Sequence, residues 1–266
     1  MGATEGVAAN AGRAGEPATV YVISGSHACR TGMLMLEHKS IPYRVVELPT
    51  GLHPQLVRLR GFPGSRKPTR MVDGKPTRMS ALMDRMGTVP AVSIDGARVQ
   101  GNVAIALHLE RIQPEPPLFP ADPELRAGVE EAEAFGDEPL QMIARRLALG
   151  TDLDGLANRG GTGRLGALLA RNALQRRLMA TIAGRSTFKT GGDTDARLRG
   201  ELPAMLDRID AWVADGVLNG AQLNVADMMI APSLALLDYC LDLRPELRAR
   251  PSFALVERLL PEPPAP

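Results

Sequence analysis

The sequence predicts an α+β chain, with an N-terminal unit of βαβ–ββα order followed by an all-helical unit. Three observations carry this. Two β-branched runs flank a helical stretch within about 30 residues near the N-terminus. A second pair of short strands then precedes another helix. Beyond a proline-rich stretch at 113–120, only helical patterns remain.

The elements follow in order. Residues 1–17 are small and polar, with no apolar leader core, and are expected to form a flexible tail. Ala18–Ile23 is β-branched and aromatic and reads as a buried strand. Good helix formers then predict a helix from His27 to Lys39, with Ser26 near its N-cap. Pro42–Leu48 reads as the second strand. The stretch 49–87 holds Pro54, Pro63, Pro68 and Pro76 and two copies of Lys-Pro-Thr-Arg-Met, at 67–71 and 75–79. Two copies are too few for a solenoid, so a long loop is expected, with a short helix over 80–86. Thr88–Ile94 is a strand, Asp95-Gly96 a hairpin turn and Ala97–Val99 its partner. Asn102 is expected to cap a helix that places Ile105, Leu109 and Ile112 on one face. Helical patterns then cover 122–149, 164–183, 195–215, 224–241 and 245–260, with Gly-rich loops at 152–163 and 184–193. The domain division is therefore 18–112, a linker at 113–121, and 122–266.

Composition narrows the function. The chain has 266 residues and a net charge of +1, from 31 basic against 30 acidic residues, which argues against a general nucleic-acid binder or an anionic-membrane binder. No apolar run approaches the roughly 20 residues of a membrane span. Two cysteines, Cys29 and Cys240, cannot build a disulfide framework, so a cytoplasmic setting is expected. The four histidines (27, 38, 53, 108) show no metal-ligand spacing, and no metal is expected. Arg159-Gly-Gly-Thr-Gly163 follows no strand and reads as a loop, not a nucleotide site.

Three local features carry chemistry. The first is Thr88-Val89-Pro90-Ala91, just before a strand and hairpin. In this element order thioredoxin-like folds place a cis proline, leaving the backbone of the preceding residue, Val89, free to pair with a peptide-like ligand. The second is Ser24-Gly-Ser26-His27-Ala-Cys29 at a strand-to-helix junction. A helix N-terminus carries partial positive charge and unpaired N–H groups, so it stabilises a thiolate there, and a hydroxyl adds a hydrogen bond. Ser26 can cap the helix, serve a thiolate, or both. His27 reads as an exposed first-turn residue that can add charge. Cys29 reads either as a small packed residue or as a redox nucleophile. The third is Leu223-Asn224-Val-Ala-Asp227-Met228, a capping-box variant with a hydrophobic staple and a folding device.

With these residues in place, the chain from Ala18 onward resembles the cytosolic glutathione transferase superfamily. The segments that carry the resemblance are Val20 to Arg30 with Leu34 to Tyr43, Gly87 to Val92, and Asn219 to Asp227. It implies a thioredoxin-like domain that binds the thiol of γ-Glu-Cys-Gly, glutathione, and an all-helical domain that supplies a pocket for a hydrophobic electrophile. By position, Ser26 matches the thiol-activating residue of Ser-type members, which is Cys in the omega- and beta-like groups. Val89 matches the residue whose backbone pairs with the ligand cysteine. Gly101-Asn102 falls where the family has Glu-Ser or Gln-Ser, the pair that grips the γ-Glu end. That acidic or amide side chain is missing here, so another low-molecular-weight thiol is an open alternative. The helix after Gly101 can still hold a carboxylate with its N-terminus. The resemblance also implies a homodimer.

The expected function is conjugation of such a thiol to an electrophilic small molecule. The thiol would sit at the first helix with Ser26, His27, Val89, Pro90, Gly101 and Asn102 around it. Two rivals stand: a thiol–disulfide oxidoreductase using Cys29, and a non-catalytic ligand-binding or interaction protein that keeps the scaffold.

Overall fold

The computed structural model describes residues 16–23, 25–49, 51–64, 82, 85–150, 181, 184–188 and 190–262. The tail, the Lys-Pro-Thr-Arg-Met pair, the 152–163 loop and nearly all of the 164–183 helix lie outside these residues.

A four-stranded sheet in the order β2-β1-β3-β4 forms the first unit. Its strands are β1 (Ala18–Ile23), β2 (Tyr43–Leu48), β3 (Ala91–Ile94) and β4 (Ala97–Gln100). β1 pairs in parallel with β2 and antiparallel with β3, with Tyr21 opposite both Val46 and Ala91. The parallel β1–β2 pair requires a crossover, which is helix α1 (His27–His38). Helix α2 (His53–Leu59) follows β2, and α3 (Asn102–Ile112) follows β4. The expected element order is all here. So is a helical segment within the predicted 80–86, where Leu82, Arg85 and Met86 are helical.

Helix α2 departs from the sequence reading. Pro54 was counted among the residues that break helices, but it stands in the first turn, where a missing N–H costs nothing. Val57 of α2, with Leu48, Phe62 and Ala91, forms a small core on one sheet face. The opposite face (Val20, Val22, Val92, Ile94) joins α1 and α3 in the main core.

That core runs without a break into the helical unit. This unit contains α4 (Pro123–Phe135), α5 (Gln141–Gly150), α6 (Gly192–Ala214), α7 (Val225–Leu237), α8 (Arg244–Ala249) and α9 (Phe253–Leu259). Every residue of α7 is buried, as a helix apolar on all sides must be. It packs against α1, α4, α5 and α9. Asn224 caps it by accepting from the N–H groups of Ala226 and Asp227, at 2.9 and 3.4 Å, and Asp227 reaches back to the Asn224 N–H at 2.8 Å. The capping box is therefore complete.

Two predicted helices are interrupted. The 122–149 helix passes through a π turn at Gly136–Leu140 containing Pro139, which cannot donate to an ordinary α-helical ladder. The 245–260 helix divides because Arg250 precedes Pro251 and takes an extended conformation (φ −83°, ψ 144°). Residues 184–188, expected as loop, form a second π turn, and α6 begins at Gly192 rather than 195.

The connection between the units is anchored. The Lys39 ammonium, buried at the end of α1, donates to Glu110 Oε2 at 2.5 Å and to the Pro114 carbonyl at 2.9 Å. Glu110 also accepts from the Leu118 N–H at 3.0 Å, and Gln113 donates to the Lys39 carbonyl. A cis bond at Glu115–Pro116, not foreseen from sequence, lies in this connection.

Among the described residues, no helix is long and apolar enough to cross a membrane.

Candidate thiol site

Three pieces of backbone meet at the C-terminal end of β1. The first is the start of α1. Gly25 turns the chain (φ +75°), and Ser26 takes the N-cap position in extended conformation, partly exposed. Its Oγ accepts from the Cys29 N–H at 3.2 Å. That bond uses a lone pair, and the hydroxyl, which is also within hydrogen-bonding reach of the Cys29 thiol, can turn its proton toward a ligand. The N–H groups of His27 and Ala28 donate to no described residue. The helix start thus presents donors without a partner among the described residues and the positive end of its dipole.

The second piece is Thr88–Pro90. The Val89–Pro90 bond is cis. The register that sets Tyr21 opposite Ala91 carries Val89 to the level of Ile23, three residues before Ser26. Neither the N–H nor the C=O of Val89 is hydrogen-bonded to another described residue. Gly87 fixes this segment against α2. A Cβ there would lie 2.2 Å from Val57 Cγ2 and 2.9 Å from the Pro54 carbonyl, so no side chain fits.

The third piece is the start of α3. The Gly101 N–H donates to the Pro90 carbonyl at 2.9 Å, tying the helix to the proline segment. Gly101 is the N-cap with φ +83°, a conformation that disfavours L side chains. The space beyond it is open, with nothing within 4 Å of an added Cβ. Gly101 therefore contributes only backbone. Asn102 was expected to be the cap but is the first helical residue, and no side chain caps α3. It is buried, and its Oδ1 has no partner and lies beside Gly32 of α1. The cap moved one residue because the positive φ falls on the glycine.

One further expectation is corrected and one open alternative is narrowed. His27 is not an exposed first-turn residue: it is 1 % exposed, packed where α1 meets α5. Desolvation, and then the nearby Arg145 charge, hold its pKa well below the ordinary histidine value, against a hydrogen bond with the Gln141 backbone. It is neutral and adds no charge to the helix start. Cys29 does not stand where a redox nucleophile must. Its side chain is fully buried, and burial pushes the thiol up to about 11 despite smaller opposing effects from Ser26, the Ile23 backbone and Arg145. The structure favours the packed reading of Cys29.

The sequence reading missed the helical side of the site. Arg145 of α5 acts electrostatically on His27, Cys29 and Asp137. Its guanidinium donates to Gln141 Oε1 at 2.9 Å and lies 5.5 Å from the Phe188 ring. Asp137, in the π turn, is raised by burial and by Glu138. Glu133, one turn earlier, is buried with Oε1 unpartnered, and burial lifts it to about 7, with Asp137 and Glu130 adding to the effect. The available signal was Pro139, which interrupts the helical pattern. Among the described residues, no group of three His, Cys, Asp or Glu side chains is placed to hold a metal ion.

The arrangement suits a peptide-like anion: backbone partners at Val89, an uncapped α3 start, and hydroxyl and N–H donors at Ser26 and α1. No family model and no curated protein matches the sequence. Solved structures do match in fold. A glutathione transferase F2 from Populus trichocarpa shares 13% identity over 93% of this chain and 94% of its own, at a TM-score of 0.58. A glutathione S-transferase of Ceriporiopsis subvermispora, in complex with glutathione, shares 20% identity over 94% of this chain and 100% of its own, at 0.57. A GST-like protein from Pseudomonas syringae shares 16% identity over 92% of this chain, at 0.57; the match spans 66% of that longer protein.

Proposed function

We propose that this chain, which has the glutathione transferase fold of a thioredoxin-like unit followed by an all-helical one, conjugates a low-molecular-weight thiol to an electrophilic small molecule. Glutathione is the first candidate thiol. The observation that carries the reading is the meeting of unpaired Val89 backbone groups with the Ser26 hydroxyl at an open helix N-terminus.

In this mechanism the cysteine-like part of the cofactor pairs with Val89, and its sulfur rests beside Ser26. The Ser26 hydroxyl donates to the sulfur while its lone pair holds the Cys29 N–H. The helix dipole and this hydrogen bond favour thiolate over thiol. The thiol proton passes to solvent, and the thiolate attacks an electrophilic carbon held between α1 and the π turn, forming the C–S bond as that carbon's leaving group departs with its bonding pair, with Arg145 and Asp137 on the helical wall. The division at 113–121, a homodimer and a cytoplasmic setting complete the reading.

The test is to titrate glutathione and other cellular thiols against wild type and Ser26→Ala, following thiolate absorbance against pH. Losing one hydrogen bond to a charged sulfur, worth about 1.5–3 kcal/mol, should raise the bound thiol's pKa by about 1–2 while binding persists. An unchanged thiol pKa in the variant removes Ser26 from the mechanism.

One observation favours a second reading. Gly101 supplies no side chain where the γ-Glu ammonium would be held, as suits a non-catalytic ligand-binding protein. Binding without turnover for every thiol would select it. The oxidoreductase reading fares worse, because the Cys29 thiol is buried and stays protonated.

A further inference from the structure

A cleft of about 480 Å³ opens on the sheet face away from α1 and α3. Its walls are Tyr21 and Ser93 from the sheet, Arg98 from β4, and Leu59 to Phe62 from the end of α2. Cross-strand register places Tyr21 and Ser93 on one face: Tyr21 is opposite Ala91, and Ser93, two residues on, is opposite Thr19 and Arg98. Two guanidinium groups are crowded here. Arg60 lies 5.3 Å from the Tyr21 ring centre and, among the described residues, donates only to the Leu56 carbonyl of its own helix, at 2.8 Å. Arg98 Nε packs over Gly61, 3.3 Å from where a Cβ would stand. Arg98 makes no hydrogen bond or ion pair with any described residue.

The contrast with the helical unit decides what this means. There, Arg197, Arg208, Arg248 and Arg250 each reach a carboxylate. Among the described residues, neither Arg60 nor Arg98 does, and none of those lining the cleft is acidic. At the end of the same row of the sheet, Arg44 also has no carboxylate partner among the described residues and donates to Thr19 Oγ1 at 2.9 Å. The hydroxyls of Tyr21 and Ser93 have no partner among the described residues either. Two arginines lining one cleft with no carboxylate partner among the described residues, beside two hydroxyls, form a receptor for an oxyanion. Beside these donors, Tyr21, Phe62 (ring centres 5.6 Å apart) and the 82 % exposed Leu59 offer an apolar wall. The volume suits a small organic molecule and exceeds what a bare ion needs.

We infer that this cleft binds a phosphate monoester of an aromatic or apolar alcohol, at a site separate from the thiol site. The two guanidiniums and the Ser93 hydroxyl hold the phosphoryl oxygens, and the organic part lies along Tyr21 and Leu59. Arg98 is opposite Ser93, four residues along the chain from Val89, so the charged end of the cleft stands apart from the thiol site.

The probe is phenyl phosphate, titrated into the full chain by calorimetry while the Nε–Hε resonances of Arg60 and Arg98 are followed. Saturable binding at about 0.1–1 mM with both resonances shifting is expected, and phenol should show none. An Arg60→Ala/Arg98→Ala double variant should bind at least about tenfold more weakly. Arg98→Lys should fall between, since lysine keeps charge but not the fork. All variants should keep the wild-type far-ultraviolet circular dichroism and Trp212 emission. Ser26→Ala should bind like wild type. The proposal is overturned if phenyl phosphate does not saturate, if the double variant binds as tightly as wild type, or if glutathione or Ser26→Ala abolishes the binding.

Discussion

Glu133 should make the stability of this protein fall as pH rises, and Glu133→Gln should remove that fall. The side chain is 7 % exposed on α4, with Oε1 unpartnered and Asp137 and Glu130 close by. Its carboxyl stands near 7 in the folded chain against 4.5 when unfolded. Below pH 4.5 both states hold the proton and Glu133 costs nothing. Between 4.5 and 7 the unfolded chain releases its proton while the folded chain keeps it, so folding loses free energy with each step up in pH. Above 7 the full cost is in place, about 3 kcal/mol from the two pKa values and somewhat less with solvent screening. Glutamine keeps the volume and removes the charge. The variant should therefore match wild type near pH 4.5 and exceed it by about 2–3 kcal/mol at pH 8. Urea unfolding at several pH values measures this, because Trp212, the chain's single tryptophan, is buried on the same unit against Phe135. Two stability curves that run parallel from pH 4.5 to 8 would refute the reasoning.

Gly87→Ala should destabilise the protein by about 2–3 kcal/mol, since its Cβ would meet Val57 and the Pro54 carbonyl; chemical unfolding measures it. Glu110→Ala should cost about 3–5 kcal/mol by leaving the Lys39 ammonium buried beside one carbonyl, and Lys39→Met with Glu110→Leu should recover most of the loss. Gly101→Gln meets open space but a positive-φ, extended-ψ backbone that glycine favours, so it should cost about 1–3 kcal/mol in stability; if glutathione is the ligand, calorimetry should show tighter binding than wild type.

What the sequence reveals is what local patterns dictate. β1, α1 and β2 follow from β-branched runs around good helix formers, and the Asn224–Asp227 box from residue types three apart. Val89–Pro90 was legible because element order gave a lone proline its context. The misses are tertiary. Pro54 breaks a helix or opens one according to which turn it occupies. His27 reads as a surface residue and Cys29 as packed or reactive, yet α5 and α7 cover the start of α1, and only packing across some hundred residues reveals this. Arg145 comes close to His27 and Cys29 through the same packing.

Helix α1 has 8 of its 12 residues buried, because it serves the sheet and α3 on one side and α7 on the other. A fragment ending at Ile112 would keep every strand yet expose the flank of α1 that α7 covers, and it would lose the Pro114 carbonyl that steadies Lys39. Such a piece should clump when expressed alone. The two halves are separate in their chain tracing but share one hydrophobic spine, and melting should take them together.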